Sequence, residues 1–109
     1  TLGLRENTLI ILSSDNGPVV DDGYDDKAEE LLNGLSPARP LRGNKFSAFA
    51  VGTRIPAILS WPKEVKRGKT SSLLVSQVEW LASLASLTGA VMPNGTAPDS
   101  YNFLGSWLG

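Results

Sequence analysis

The chain of 109 residues contains neither cysteine nor histidine. Without cysteine there can be no disulfide, no zinc–thiolate site and no thiol nucleophile. Without histidine the chain lacks the most frequent general base and the most frequent transition-metal ligand. Any metal bound by these residues is therefore expected to be a hard cation with oxygen ligands.

The chain also has almost no net charge and no long apolar run. Ten basic residues against eleven acidic residues give a net charge of −1, so no long-range field favours nucleic acid or an anionic membrane. The apolar runs are far shorter than the roughly 20 residues of a membrane-spanning helix. We expect neither a nucleic-acid nor a membrane partner, and we expect any bound anion to be held by local charges.

Alternating strand and helix patterns predict an α/β fold. The unbroken apolar run at residues 9–12 (LIIL) is typical of a central parallel strand that is covered on both faces. Residues 53–61 (TRIPAILSW) predict a second strand, and Pro56 suggests an edge position or a strand beginning. Between these strands, residues 36–49 are rich in proline and glycine and predict a long functional loop.

Three segments predict helices. Residues 21–33 are acidic at their start and end at Asn-Gly, which indicates a short helix. Ser76 and Glu79 form a capping-box pattern ahead of apolar residues at helical spacing, which end at Gly89. Asp99 and Ser100 are expected to cap a last short helix.

A polar cluster follows the first predicted strand, at the carboxyl end where open α/β sheets bind their ligands. Asp15 and Asn16 offer a carboxylate and an amide oxygen side by side, and Gly17 would let the backbone turn closely around a ligand. Two oxygens are too few for calcium, which takes about six to eight. The alternative is an Asx turn that only ends the strand.

An ordered series of motifs carries a resemblance to a known family. Ser14-Asp15-Asn16-Gly17 is followed by Leu41-Arg42-Gly43-x-Lys45 and then by Gly52-x-Arg54-Ile55-Pro56. This series resembles the second half of the catalytic domain of type I sulfatases, the formylglycine enzymes of the alkaline phosphatase superfamily. The resemblance covers nearly the whole chain, so residues 1–109 are interpreted as one partial catalytic domain, with an alkaline-phosphatase-like sheet flanked by helices.

The resemblance also implies functional roles. Asp15 and Asn16 would be calcium ligands, and Lys45 would contact the sulfate and the leaving oxygen as a catalytic residue. The parent protein would hydrolyse a sulfated small molecule or glycan, with Ca²⁺ as cofactor, and would be periplasmic or secreted. A lysine in this role agrees with general chemistry, because an ammonium stabilises the charge that develops on a leaving oxygen.

Two departures from the family pattern matter. The family often has Glu-Gly-Gly where this chain has Ala50-Val51-Gly52, so a carboxylate that would support the loop is missing. The family's nucleophile comes from a Cys/Ser-x-Pro-x-Arg motif, and the segment Ser36-Pro37-Ala38-Arg39 is one position out of register with it. We therefore expect the formylglycine upstream of Thr1, in a longer parent from which this chain is cut.

Several expectations and alternatives follow from this interpretation. The isolated chain is expected to be inactive, because it lacks the nucleophile and most of the metal ligands. It is also expected to associate with itself, because its apolar faces lack cover. Arg39 and Arg42 could simply tie the loop to Asp21 or Asp22. The alternatives are a phosphomonoester or phosphonate hydrolase of the same superfamily, whose members commonly place His where Asn16 stands, and a non-catalytic binding domain.

Overall fold

A computed structural model describes residues 2–109. It contains two strands, β1 (Ile10–Ser13) and β2 (Ala57–Ser60). It also contains four short helices, α1 (Ala28–Leu31), α2 (Ala50–Thr53), α3 (Trp80–Thr88) and α4 (Leu104–Leu108), and two 3-10 turns at Arg5–Asn7 and Gln77–Glu79. The mixture of helices and a small sheet confirms the predicted α/β class. No helix in this described part is long and apolar enough to cross a membrane.

The two strands form one antiparallel pair. The Ser13 hydroxyl donates a hydrogen bond of 2.8 Å to the Pro56 carbonyl, so the end of β1 lies beside the start of β2. The prediction of a central parallel strand, covered on both faces, is not met among the described residues. Ile10 and Leu12 remain 53% and 59% exposed, because β2 is the only described strand beside β1 and leaves that face open.

Chain contacts divide the protein into two compact units, and one of them is Ile11–Ile58. In this unit Val51 is 2% exposed, and it is the only apolar side chain among the described residues that is fully buried. The predicted helix in residues 21–33 is confirmed in a shortened form as α1, and the chain turns at Asn33 and Gly34 with positive φ. The loop of residues 36–49 leads into α2, a helix that the sequence did not predict.

The other unit contains α3 and α4. The predicted capping box is present: the Ser76 hydroxyl accepts from the Glu79 backbone N–H, and the Glu79 carboxylate accepts from the Ser76 N–H. The first turn is 3-10, and α3 then continues to Gly89, whose φ of 70° gives the expected left-handed end. The sequence therefore located this helix correctly at both ends.

The predicted cap of the last helix is wrong. The helix α4 begins at Leu104. The Leu104 N–H, which has no partner within the helix, donates to the Asn102 side-chain oxygen at 2.9 Å. Ser100 instead accepts from the Ala82 N–H of α3, at 3.0 Å. Ser83, which is fully buried, donates to the Glu79 carbonyl and accepts from the Phe103 N–H, so it joins α3 to the segment before α4.

Candidate functional site

The loop after β1 holds Asp15 and Asn16 in a tight turn. The Ser14 hydroxyl donates to the Asn16 carbonyl at 2.9 Å, and the Asn16 amide nitrogen donates to the Gly17 carbonyl at 2.9 Å. This second bond uses the nitrogen of the Asn16 side chain, so the amide oxygen is the atom left for a cation. Asp15 is exposed, and Asn16 is half-buried.

The hydrogen bonds of other acids show how Asp15 differs. Asp21, Asp22 and Asp26 each accept a backbone N–H two residues further along the chain, which is the Asx-turn arrangement. The Gly17 N–H, which an Asx turn at Asp15 would use, donates instead to the Gly52 carbonyl at 3.2 Å. Asp15 therefore does not form an Asx turn. Its carboxylate accepts no hydrogen bond within residues 2–109.

Gly17 brings this loop against helix α2. A Cβ at Gly17 would lie 2.7 Å from the Val51 carbonyl carbon and 3.2 Å from the Gly52 Cα. Both atoms belong to the backbone and cannot rotate away, so only glycine allows this approach. The sequence indicated a close approach at Gly17 but assigned it to a ligand, whereas the observed neighbour is the chain itself.

Lys45 meets the same loop through its backbone. The Lys45 N–H donates to the Pro18 carbonyl at 2.8 Å, which sets the lysine beside the turn that contains Asp15 and Asn16. The Lys45 side chain is half-buried, and its Nζ lies 5.2 Å from the centre of the Phe46 ring. The second motif is thus hydrogen-bonded to Pro18, the residue that directly follows the first motif.

Arg39 and Arg42 do not form the ion pairs with Asp21 or Asp22 that the sequence suggested. The Arg42 guanidinium carbon lies 4.1 Å from the centre of the Phe49 ring, an arrangement typical of a cation–π contact. Asp21 and Asp22 bond to nearby backbone N–H groups, and no ion pair to Arg39 or Arg42 is found among the described residues. The suggested tie between this loop and the acids is therefore not observed.

The loop is supported even though Ala50-Val51-Gly52 lacks the carboxylate that is frequent in the family. These residues form most of α2, and burial of Val51 fixes the helix. Two backbone hydrogen bonds, from Gly17 to Gly52 and from Lys45 to Pro18, connect the segments without any carboxylate. No sequence signal predicted α2, because it has no capping side chain and includes a glycine.

The oxygen atoms of Asp15 and Asn16 meet part of the requirements of a calcium site. Asp15 and Asn16 present hard oxygen atoms, which suit Ca²⁺ in type but supply only part of the six to eight ligands that it takes. No group of three or more acidic, histidine or cysteine side chains placed to hold a metal occurs within residues 2–109. The pair fits calcium as part of a larger ligand set.

Comparisons with known proteins agree on one family. A family model described as Sulfatase matches residues 1–90. The chain is 50% identical over 109 residues to an N-acetylgalactosamine-6-O-sulfatase from Bacteroides thetaiotaomicron, which covers 100% of this chain and 21% of that protein. It is 37% identical over 95 residues to human Arylsulfatase A, covering 87% of this chain and 17% of the relative.

A solved structure extends the agreement to the fold. It comes from work on the metabolism of multiple glycosaminoglycans by Bacteroides thetaiotaomicron, and it matches with a TM-score of 0.86 at 50% identity. The match covers 96% of this chain and 22% of the solved chain. The chain thus spans about a fifth of the length of the curated relatives named above.

Proposed function

This chain belongs to the sulfatase family, and from that premise we propose that it forms part of the active site of a sulfuric ester hydrolase. In this proposal Asp15 and Asn16 contribute oxygen ligands to a calcium site, and Lys45 contacts the sulfate ester. The observation that carries the proposal is the hydrogen bond from the Lys45 N–H to the Pro18 carbonyl, because it joins the lysine to the Asp15–Asn16 turn.

Calcium, when bound, would supply positive charge to the sulfate oxygens. The chain's own residues have two tasks. The Asp15 carboxylate, which accepts no hydrogen bond within residues 2–109, and the Asn16 amide oxygen would hold the cation. The Lys45 ammonium stabilises the negative charge that develops on the leaving oxygen, in a half-buried setting where this interaction is stronger than in water.

The remaining parts of the activity are assigned to the full-length enzyme that would contain this segment. We assign the formylglycine nucleophile to residues outside this chain. The substrate class is a sulfated glycan or small molecule, and the 50% identical relative makes 6-O-sulfated N-acetylgalactosamine the first substrate to test. We place the enzyme in the periplasm or outside the cell, since sulfated glycans are mostly extracellular.

The test uses the full-length enzyme with this sugar, a chromogenic aryl sulfate and the matching aryl phosphate. We expect release of sulfate to exceed release of phosphate. Faster hydrolysis of the phosphate would favour the alternative of a phosphomonoester or phosphonate hydrolase. Binding of the sulfated sugar without turnover would favour a non-catalytic domain.

The calcium ligands are tested with a matched pair of variants. Asp15→Asn keeps the size of the side chain but removes its charge, and we expect the calcium concentration for half-maximal activity to rise about tenfold or more. Asp25→Asn makes the same change at an exposed acid outside the proposed site and should have no effect. Equal behaviour of the two variants would remove Asp15 from the calcium site.

A further inference from the structure

Lys45 lies within a turn that is bonded across its ends. The Ser47 N–H donates to the Asn44 carbonyl at 3.2 Å. The Ser47 hydroxyl donates to the same carbonyl at 2.9 Å and accepts the Asn44 N–H at 3.3 Å. Lys45 and Phe46 are therefore the two central residues of a closed four-residue turn.

The backbone of this turn is strained beside the lysine. Phe46 has a φ of 73°, in the left-handed region that is unfavourable for a residue with a side chain. Phe46 is 82% exposed, so burial of its side chain does not offset this strain. Such a conformation persists only when the surrounding structure enforces it. The position of Lys45 therefore depends on the contacts that hold this turn in place.

Arg42 and Phe49 flank the turn and contact one another. The Arg42 guanidinium carbon lies 4.1 Å from the Phe49 ring centre. Phe49 also packs on the backbone at Gly43, where an added Cβ would lie 2.9 Å from the Phe49 Cβ. Gly43 itself has a φ of 108°, which favours glycine. The Phe49 side chain thus lies against both residues that enter the turn, with its Cβ at Gly43 and its ring at Arg42.

We propose that Arg42 and Phe49 form a clasp, the stacked contact between these two side chains, that positions Lys45 for the reaction. In this account Arg42 is a positioning residue and does not touch the substrate. The inference rests on the proposed function, in which Lys45 contacts the sulfate ester. It explains why Arg42 stacks on a ring while the acids suggested as its partners bond to their own backbone.

The size of the effect follows from the contact. A cation–π contact at an exposed site accounts for about a two- to fivefold change in an equilibrium. A misplaced Lys45 loses charge stabilisation in the transition state, so the loss should appear in kcat while KM stays unchanged. Arg42 is exposed and Phe49 is 47% exposed, so the enzyme should tolerate substitutions at both positions.

The experiment is a mutant cycle in the full-length enzyme, measured with an aryl sulfate. Arg42→Gln and Phe49→Leu each remove one half of the clasp, and Phe49→Tyr keeps a ring as the matched control. We expect either loss to lower kcat about two- to fivefold, the double variant to be no slower than the slower single variant, and Phe49→Tyr to match the wild type. In a Lys45→Ala background, neither loss should reduce the remaining rate.

Three results would overturn the clasp. Multiplying effects in the double variant would show that the two residues act separately. A raised KM for Arg42→Gln with a normal Phe49→Leu would assign Arg42 to the substrate. A continued loss of rate in the Lys45→Ala background would show a general structural role. These results differ from failure of the proposed function, which an unchanged kcat for Lys45→Ala itself would reveal.

Discussion

Replacing Gly17 by alanine tests the junction between the Asp15–Asn16 loop and helix α2. The new Cβ would lie 2.7 Å from the Val51 carbonyl carbon and 3.2 Å from the Gly52 Cα. Gly17 is not among the glycines with positive φ, so an alanine would fit its backbone conformation and the effect would be steric. The two segments must then separate, and the hydrogen bond from Gly17 to Gly52 is lost.

The expected cost has two parts. Overpacking costs about 1–3 kcal/mol, and loss of a backbone hydrogen bond costs about 0.5–1.5 kcal/mol. Together they weaken the docking of the loop by about 2–4 kcal/mol. At 1.4 kcal/mol for each factor of ten, local opening becomes about 30- to 700-fold more frequent.

Hydrogen exchange of the full-length enzyme measures this opening directly. The amide to follow is that of Lys45, which is bonded to Pro18 in the docked state, and its exchange should accelerate by the stated factor in Gly17→Ala. Gly105→Ala is the control, because a Cβ there meets nothing within 4 Å and its φ is not positive. If both variants exchange like the wild type, Gly17 does not hold the two segments together.

Three predictions concern the isolated chain. It should not hydrolyse a chromogenic aryl sulfate with calcium present, because we assign the nucleophile to residues outside it; turnover above a buffer blank would contradict this. It should bind calcium only in the millimolar range or more weakly, since Asp15 and Asn16 leave most of the coordination to water; micromolar binding by calorimetry would mean that further ligands exist. It should associate with itself at tens of micromolar, because Leu12 and Ile58 on the paired strands are 59% and 57% exposed; a folded monomer in light scattering would contradict this.

The elements that the sequence predicted correctly are those with local signals. The capping box at Ser76 and the Gly89 end are read within one helix, and both are confirmed. The cap of α4 was assigned wrongly because Asp99 and Ser100 are also residues that commonly begin a helix. Only the structure shows that the Ser100 hydroxyl accepts the Ala82 N–H of α3. Long-range contacts decided that outcome.

The candidate site shows the same division. The motif order led to Asp15, Asn16 and Lys45, but nothing in the sequence predicted the hydrogen bond from Lys45 to Pro18 that joins them. Gly17 was noticed, yet its actual neighbours, Val51 and Gly52, lie in a helix with no sequence signal. The only sequence signal of a close approach between two backbones is a glycine. Because glycine also occurs in turns and helix ends, this signal does not identify the contact.

The most direct test of the central claim is the turnover of Lys45→Ala in the full-length enzyme, with Lys69→Ala as an exposed control of the same charge. If the Lys45 ammonium stabilises the leaving oxygen, kcat on an aryl sulfate should fall about a hundredfold or more, while Lys69→Ala keeps the wild-type rate. Equal rates for the two variants would contradict the account and reduce Lys45 to a structural residue of its loop.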